Sequence, residues 1–160
     1  MLEETNTIEE QEVVNTIENE NVEPQLGNEV ETPMSELDVL IQRRMGNFEI
    51  NISPADLKYV KNLLNNKVEW KGPNEAYLIL MALLSLSSEL KEVDDRSTER
   101  HTVSLPSTTL ESINFFLGKV TGKGEEPAHR LFAVSMLLRP AMEQIRVIDE
   151  TIEQFKSEKK

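Results

Sequence analysis

Few residues of this chain could do chemistry. His101 and His129 are the only imidazoles, and there is no cysteine, which excludes disulfides, thiolate metal sites and cysteine nucleophiles. No H-x-x-x-H pair and no D-x-D-x-D-G run is present, so no metal site is expected. His101 shares an alternating stretch with Val103, where a partly buried structural role fits. His129 stands near Glu125 and Glu126, which reads as surface pairing. The run GKVTGKGEE gathers Lys119, Gly122, Lys123 and Gly124 as a phosphate-cradling loop would. It lacks the G-x-x-x-x-G-K-[ST] spacing. There is no G-x-S-x-G and no nucleophile paired with a base and an orienting group, so no catalytic residue is expected. Trp70 beside Lys71 could stack on a base; a cap on a helical hairpin is the simpler role. The reading is a non-enzymatic protein with no cofactor.

The elements that would position these residues can be read from periodicity. SELDVLIQRRM is a short helix: Ser35 caps it, Leu37, Leu40 and Ile41 share a face, and Gly46 ends it. Phe48, Ile50 and Ile52, and later Val103 and Leu105, alternate as in short strands with one buried face. Ser53-Pro54-Ala55-Asp56 and Thr108-Thr109-Leu110-Glu111 are helix-start signatures. Each opens an amphipathic helix of about three turns. A polar connection follows each, and second helices begin near Asn74 and Pro127. Both are broadly apolar, as a central core helix would be. Pro140 should kink its helix, and beyond it Ile145, Ile148, Ile152 and Phe155 form a stripe suited to a docked terminal helix.

These segments repeat. Sliding residues 50–84 by 53 positions without gaps superimposes twelve apolar positions, from Ile50 on Val103 to Leu84 on Leu137. Only four are identities, all leucine. A shared apolar frame with little identity is what a duplicated core leaves behind. One such unit has open strand edges and an uncovered helical face, so its remedy is to pair with its twin.

Charge is unevenly distributed. The 160 residues carry 29 acidic and 17 basic groups, a net of −12. Residues 1–33 hold ten glutamates and no Lys, Arg or Asp, leaving a net of −2 in 34–160. This acidic tail is too poor in apolar residues to offset its ordering entropy and is expected to be disordered. It could compete for a basic surface or fold on a protein partner. No basic region precedes an apolar run at the N-terminus, so no secretory signal is expected. The longest apolar run, AYLILMALL, is far short of a membrane span. A cytoplasmic protein is the expectation, or one within a virion if the chain is phage-derived.

The stretch RHTVSLPSTTLESINFFLGKVTGKG, followed by AHRLFAVSMLL, resembles the ribbon-helix-helix family of Arc/MetJ type. NFEINISPADLKYVKNLL with KGPNEAYLILMALL looks like a more diverged copy. The resemblance implies that outward residues of a two-stranded ribbon read bases in the major groove of double-stranded DNA. These would be Arg100, Thr102 and Ser104 from one copy and Asn47, Glu49 and Asn51 from the other. Arg suits guanine, Asn adenine, Thr and Ser several bases, and Glu can accept from cytosine. It also implies phosphate clamping by amides near Asn74 and Gly124, with Lys119, Lys123 and Arg130 adding positive charge. Charge opposes this in part: residues 100–139 are net +2, whereas 47–95 are net −3.

The expected architecture is mostly α. It comprises a disordered acidic tail (1–33), a short helix (34–46) and two tandem strand–helix–helix units (47–95 and 100–139) that are ribbon-helix-helix-like. A C-terminal helical extension (140–160) follows. The expected function is DNA binding and transcription regulation, with self-association through the ribbon and the C-terminal helix. The alternative is an interaction scaffold, such as a phage or mobile-element accessory component, that keeps the fold without binding DNA.

Overall fold

A computed structural model describes residues 34–158; the acidic tail lies outside the described residues. Ser35 accepts the Asp38 N–H at 3.2 Å and starts α1 (Glu36–Arg44). Leu37 and Leu40 pack onto the core, whereas Ile41 faces solvent. The helix closes on Met45, one residue before the expected Gly46.

Two strands follow the predicted alternation. β1 (Asn47–Ile52) buries Phe48, Ile50 and Ile52; β2 (His101–Pro106) buries Val103 and Leu105 and half-buries His101. They pair antiparallel with each other, Asn47 opposite Pro106 and Ile52 opposite His101. This two-stranded ribbon closes within one chain, so the expected self-association through the ribbon is not required to complete it.

α2 (Pro54–Asn66) begins as its sequence dictates. Ser53 accepts the Asp56 N–H at 3.2 Å, and Pro54 fills the first helical turn, where no N–H is needed. α4 (Ser107–Leu117) does not use its predicted start. It opens directly from β2 with Pro106 at the cap position and no side-chain cap. The Ser107 N–H is taken by the Gly46 carbonyl at 3.1 Å, so a backbone acceptor replaces the expected threonines. The Ala55 N–H of α2 is likewise taken by the Ser97 carbonyl at 3.0 Å. In both cases the chain leading into one strand caps the helix that follows the other.

α3 (Gly72–Glu89) and α5 (Glu125–Glu158) complete the fold. α5 is continuous, so the expected boundary at Pro140 is not a break between elements. Val134, Leu138, Ala141, Ile145, Ile148 and Ile152 are buried at 4-3-4-3-4 spacing across the proline, while Pro140 itself is exposed. Burial on both sides holds the helix together where a proline alone would disrupt it. α1 packs on α5, so the C-terminal stripe is spent inside the chain.

The single offset of 53 describes only part of the core. Ile50/Val103, Ile52/Leu105, Leu57/Leu110, Val60/Ile113 and Leu64/Leu117 are buried on both sides. Across the polar connections the match fails: buried Ile79 falls on Phe132, which is 65% exposed, and exposed Met81 falls on buried Val134. The connection 118–124 is two residues longer than 67–71. An offset of 55 restores the phase, placing Ile79 on Val134 and Leu86 on Ala141, all four buried. Nor is either second helix a central core helix: in α3 only Ile79, Ala82 and Leu86 are buried and its opposite side is exposed, and in α5 before Pro140 only Val134 and Leu138 are buried. No helix among the described residues is long and apolar enough to cross a membrane.

Candidate nucleic-acid interface

The pleat decides what the ribbon presents. With Phe48, Ile50, Ile52, Val103 and Leu105 turned inward, the exposed residues are Asn47, Glu49 and Asn51 on β1 and Thr102, Ser104 and Pro106 on β2. The register sets Glu49 opposite Ser104 and Asn51 opposite Thr102. The face is polar and short-chained, and Glu49 is its one charge. Arg100 precedes β2 and is exposed at the end of the ribbon. It lines a hollow of about 360 Å³ with Glu49, Asn51 and Thr102, walled by Met136, Leu137 and Pro140 of α5. Five of the eight residues singled out from the sequence, Asn47, Asn51, Arg100, Thr102 and Ser104, therefore gather on or beside one ribbon.

The other three lie elsewhere. Lys119 donates to Glu75 Oε1 at 2.6 Å and lies 4.3 Å from the Phe115 ring centroid. It is half-buried and already neutralised within the chain. Arg130 stacks over Tyr59 at 4.1 Å. Tyr59 lines, with Lys67 and Lys123, a separate hollow of about 340 Å³ between α2 and the connection into α5. The grouping of Lys67 and Tyr59 with Lys123 has no signature in the chain, because it joins segments that meet only through packing.

Neither helix start is a free anion site. At α3 the Lys71 N–H donates to Glu75 Oε2 at 2.7 Å, so the first turn carries its own carboxylate. The Lys119 ammonium first, and the Lys71 amide second, hold the Glu75 carboxyl below the usual glutamate range. At α5, Gly124 adopts φ +103°, and the exposed Glu125 and Glu126 occupy the first turn. Both arrangements satisfy the helix dipole internally and disfavour an incoming phosphate. Trp70, expected to cap the α2–α3 connection, is 56% exposed.

Other charges are structural. Arg44 donates from Nη2 to Glu111 at 2.5 Å and from Nε to Asp149 at 2.6 Å, joining α1 to α4 and α5. The bond to Asp149 is the main reason its guanidinium is held charged still more firmly than usual. Lys58 pairs with Asp95 at 2.6 Å, and the exposed His129 Nε2 lies 3.5 Å from Glu125 Oε1. Lys58 and Glu111 occupy equivalent places one turn into α2 and α4. Each binds the chain that leads into the opposite strand. No protein-family model matches this sequence, and neither a curated protein nor a solved structure matches it.

Proposed function

We propose that residues 47–158 are a single-chain DNA-binding module of ribbon-helix-helix type, built from two strand–helix–helix units whose strands pair internally. The module binds double-stranded DNA through the outward ribbon and carries out no catalysis. The observation that supports this reading is the ribbon itself. Two antiparallel strands bury Phe48, Ile50, Ile52, Val103 and Leu105 and expose Asn47, Asn51, Thr102 and Ser104, each able to donate and accept at base edges. The reciprocal caps from Gly46 and Ser97 support the two-unit interpretation, because they relate the halves by the same exchange. Under this reading Arg100 supplies the first charged contact, and the acidic segment 1–33 competes for the same face.

The second reading is an interaction scaffold that keeps the fold without binding DNA. Glu49 on the ribbon, Glu125 and Glu126 at one helix start and the internally paired Lys119 favour it. A mobility-shift titration on mixed-sequence duplex at low salt separates the two. DNA binding gives a shift that weakens steeply with salt, and Arg100→Ala costs about 1–3 kcal/mol of affinity. No shift up to about 100 μM protein rejects the DNA reading, since even nonspecific binders associate in that range.

A further inference from the structure

The two halves of the fold differ at one corner. α4 packs closely along α3, whereas the equivalent pair, α2 and α5, packs far less closely. The space left between them is the hollow of about 340 Å³. Half-buried Tyr59, Leu63, Val120 and Leu131 wall it, and the exposed Lys67 and Lys123 stand at its rim.

The equivalence of the halves shows what each corner needs. The offset of 53 sets Asn66 on Lys119, and the offset of 55 sets Glu75 on Arg130. In the closed corner Glu75 accepts from both the Lys119 ammonium and the Lys71 amide, so a carboxylate completes the packing of α3 on α4. In the open corner a guanidinium occupies the position of that carboxylate. Lys67, Lys123 and Arg130 make no ion pair among the described residues. No described carboxylate lines this hollow, whereas the hollows around Arg100, Arg146 and Lys119 each include at least one. The open corner therefore combines apolar walls with uncompensated positive charge.

We propose that this hollow binds a small organic carboxylate. Lys67 and Lys123 hold its charge, and its apolar body lies against Leu63, Val120 and Leu131. Arg130, stacked over Tyr59 at 4.1 Å, adds to the positive field. The volume suits a small ligand, at the lower end of the roughly 300–1,000 Å³ of such sites. A single negative charge fits better than a phosphate dianion, because Glu125 and Glu126 stand at the adjoining helix start. Exposed lysines hold an anion weakly, so burial of the apolar body carries much of the affinity. The hollow shares no residue with the ribbon, and the proposal does not rest on DNA binding.

The test is a titration of the full chain with hexanoate, followed by proton–nitrogen NMR, with hexanol, acetate and inorganic phosphate as comparisons. Hexanoate gives saturable shifts at Thr121, Gly122, Gly124 and Leu131, with a dissociation constant of about 1 mM. Hexanol lacks the charge and acetate lacks the apolar body, so each binds at least about tenfold more weakly. Lys67→Glu with Lys123→Glu abolishes the hexanoate response, and Lys67→Arg with Lys123→Arg retains it. Ala128→Phe, which fills the hollow without touching its charges, also abolishes it. Unchanged amide positions elsewhere in the spectrum show that each variant keeps the fold. Shifts that never saturate, or that centre on the ribbon, overturn the proposal. So does an equal response to hexanol, which would mean an apolar groove without anion selection, and so does tighter binding of phosphate. A failed mobility shift with DNA leaves the proposal standing.

Discussion

Arg44 bonds two carboxylates that lie 67 and 105 residues further along the chain. Its flat guanidinium reaches both at once, which a lysine ammonium cannot do with the same geometry. Removing the side chain leaves Glu111 and Asp149 without their cation. Because both carboxylates are partly exposed, Arg44→Ala should cost only about 1–2 kcal/mol, read from urea midpoints. Arg44→Lys should recover part of that loss. Equal stability of wild type and Arg44→Ala would show that the cluster is incidental. The reading of Ser35 and Ser53 as helix caps rests on local spacing, and both hydroxyls accept the amide three residues on. The same logic fails at Thr108 and Thr109, because the acceptor that serves α4 is Gly46, some 60 residues away.

At the scale of elements, the informative contrast is between the two long helices. Their apolar residues are equally legible, yet which of them face inward depends on the length of the preceding connection. Two extra residues turn a helix by about 200° relative to its entry, enough to exchange its faces. Leu138→Ala should therefore cost about 2–5 kcal/mol, and Phe132→Ala should change stability by no more than about 0.5 kcal/mol. Under an ungapped repeat, Phe132 would be the equivalent of buried Ile79 and its truncation would be among the most damaging. Chemical denaturation of the two variants decides between these phases. Pro140 teaches the same lesson. Its effect on α5 depends on the packing of Leu138, Ala141 and Ile145 around it, which the proline residue does not encode.

For the whole molecule, closure of the ribbon within one chain makes the core unimolecular. The unfolding midpoint should therefore not depend on protein concentration. A midpoint that rises with concentration would mean that strands are exchanged between copies. Acid should act through the ion pairs at Glu75 and Asp95, whose carboxyls are held low mainly by hydrogen bonds from Lys119 and Lys58. Groups lowered on folding stabilise the native state above their ordinary values, about 4, and lose that contribution as pH falls through the lowered ones. Melting temperature should therefore drop on acidification through that window, and Glu75→Gln should flatten part of the slope. An unchanged slope in Glu75→Gln would remove this pair from the acid response.

The sequence by itself determined the helices and strands, the alternation that gives the ribbon an inner and an outer face, and the polar character of that outer face. These follow from interactions within a few residues, where periodicity and capping act. Only the tertiary structure decided that the strands pair within one chain, that Lys119 is consumed by Glu75 and that α3 leaves an apolar face uncovered. Those outcomes depend on which distant surfaces compete for the same partner, and loop lengths and packing settle that competition after the local elements have formed.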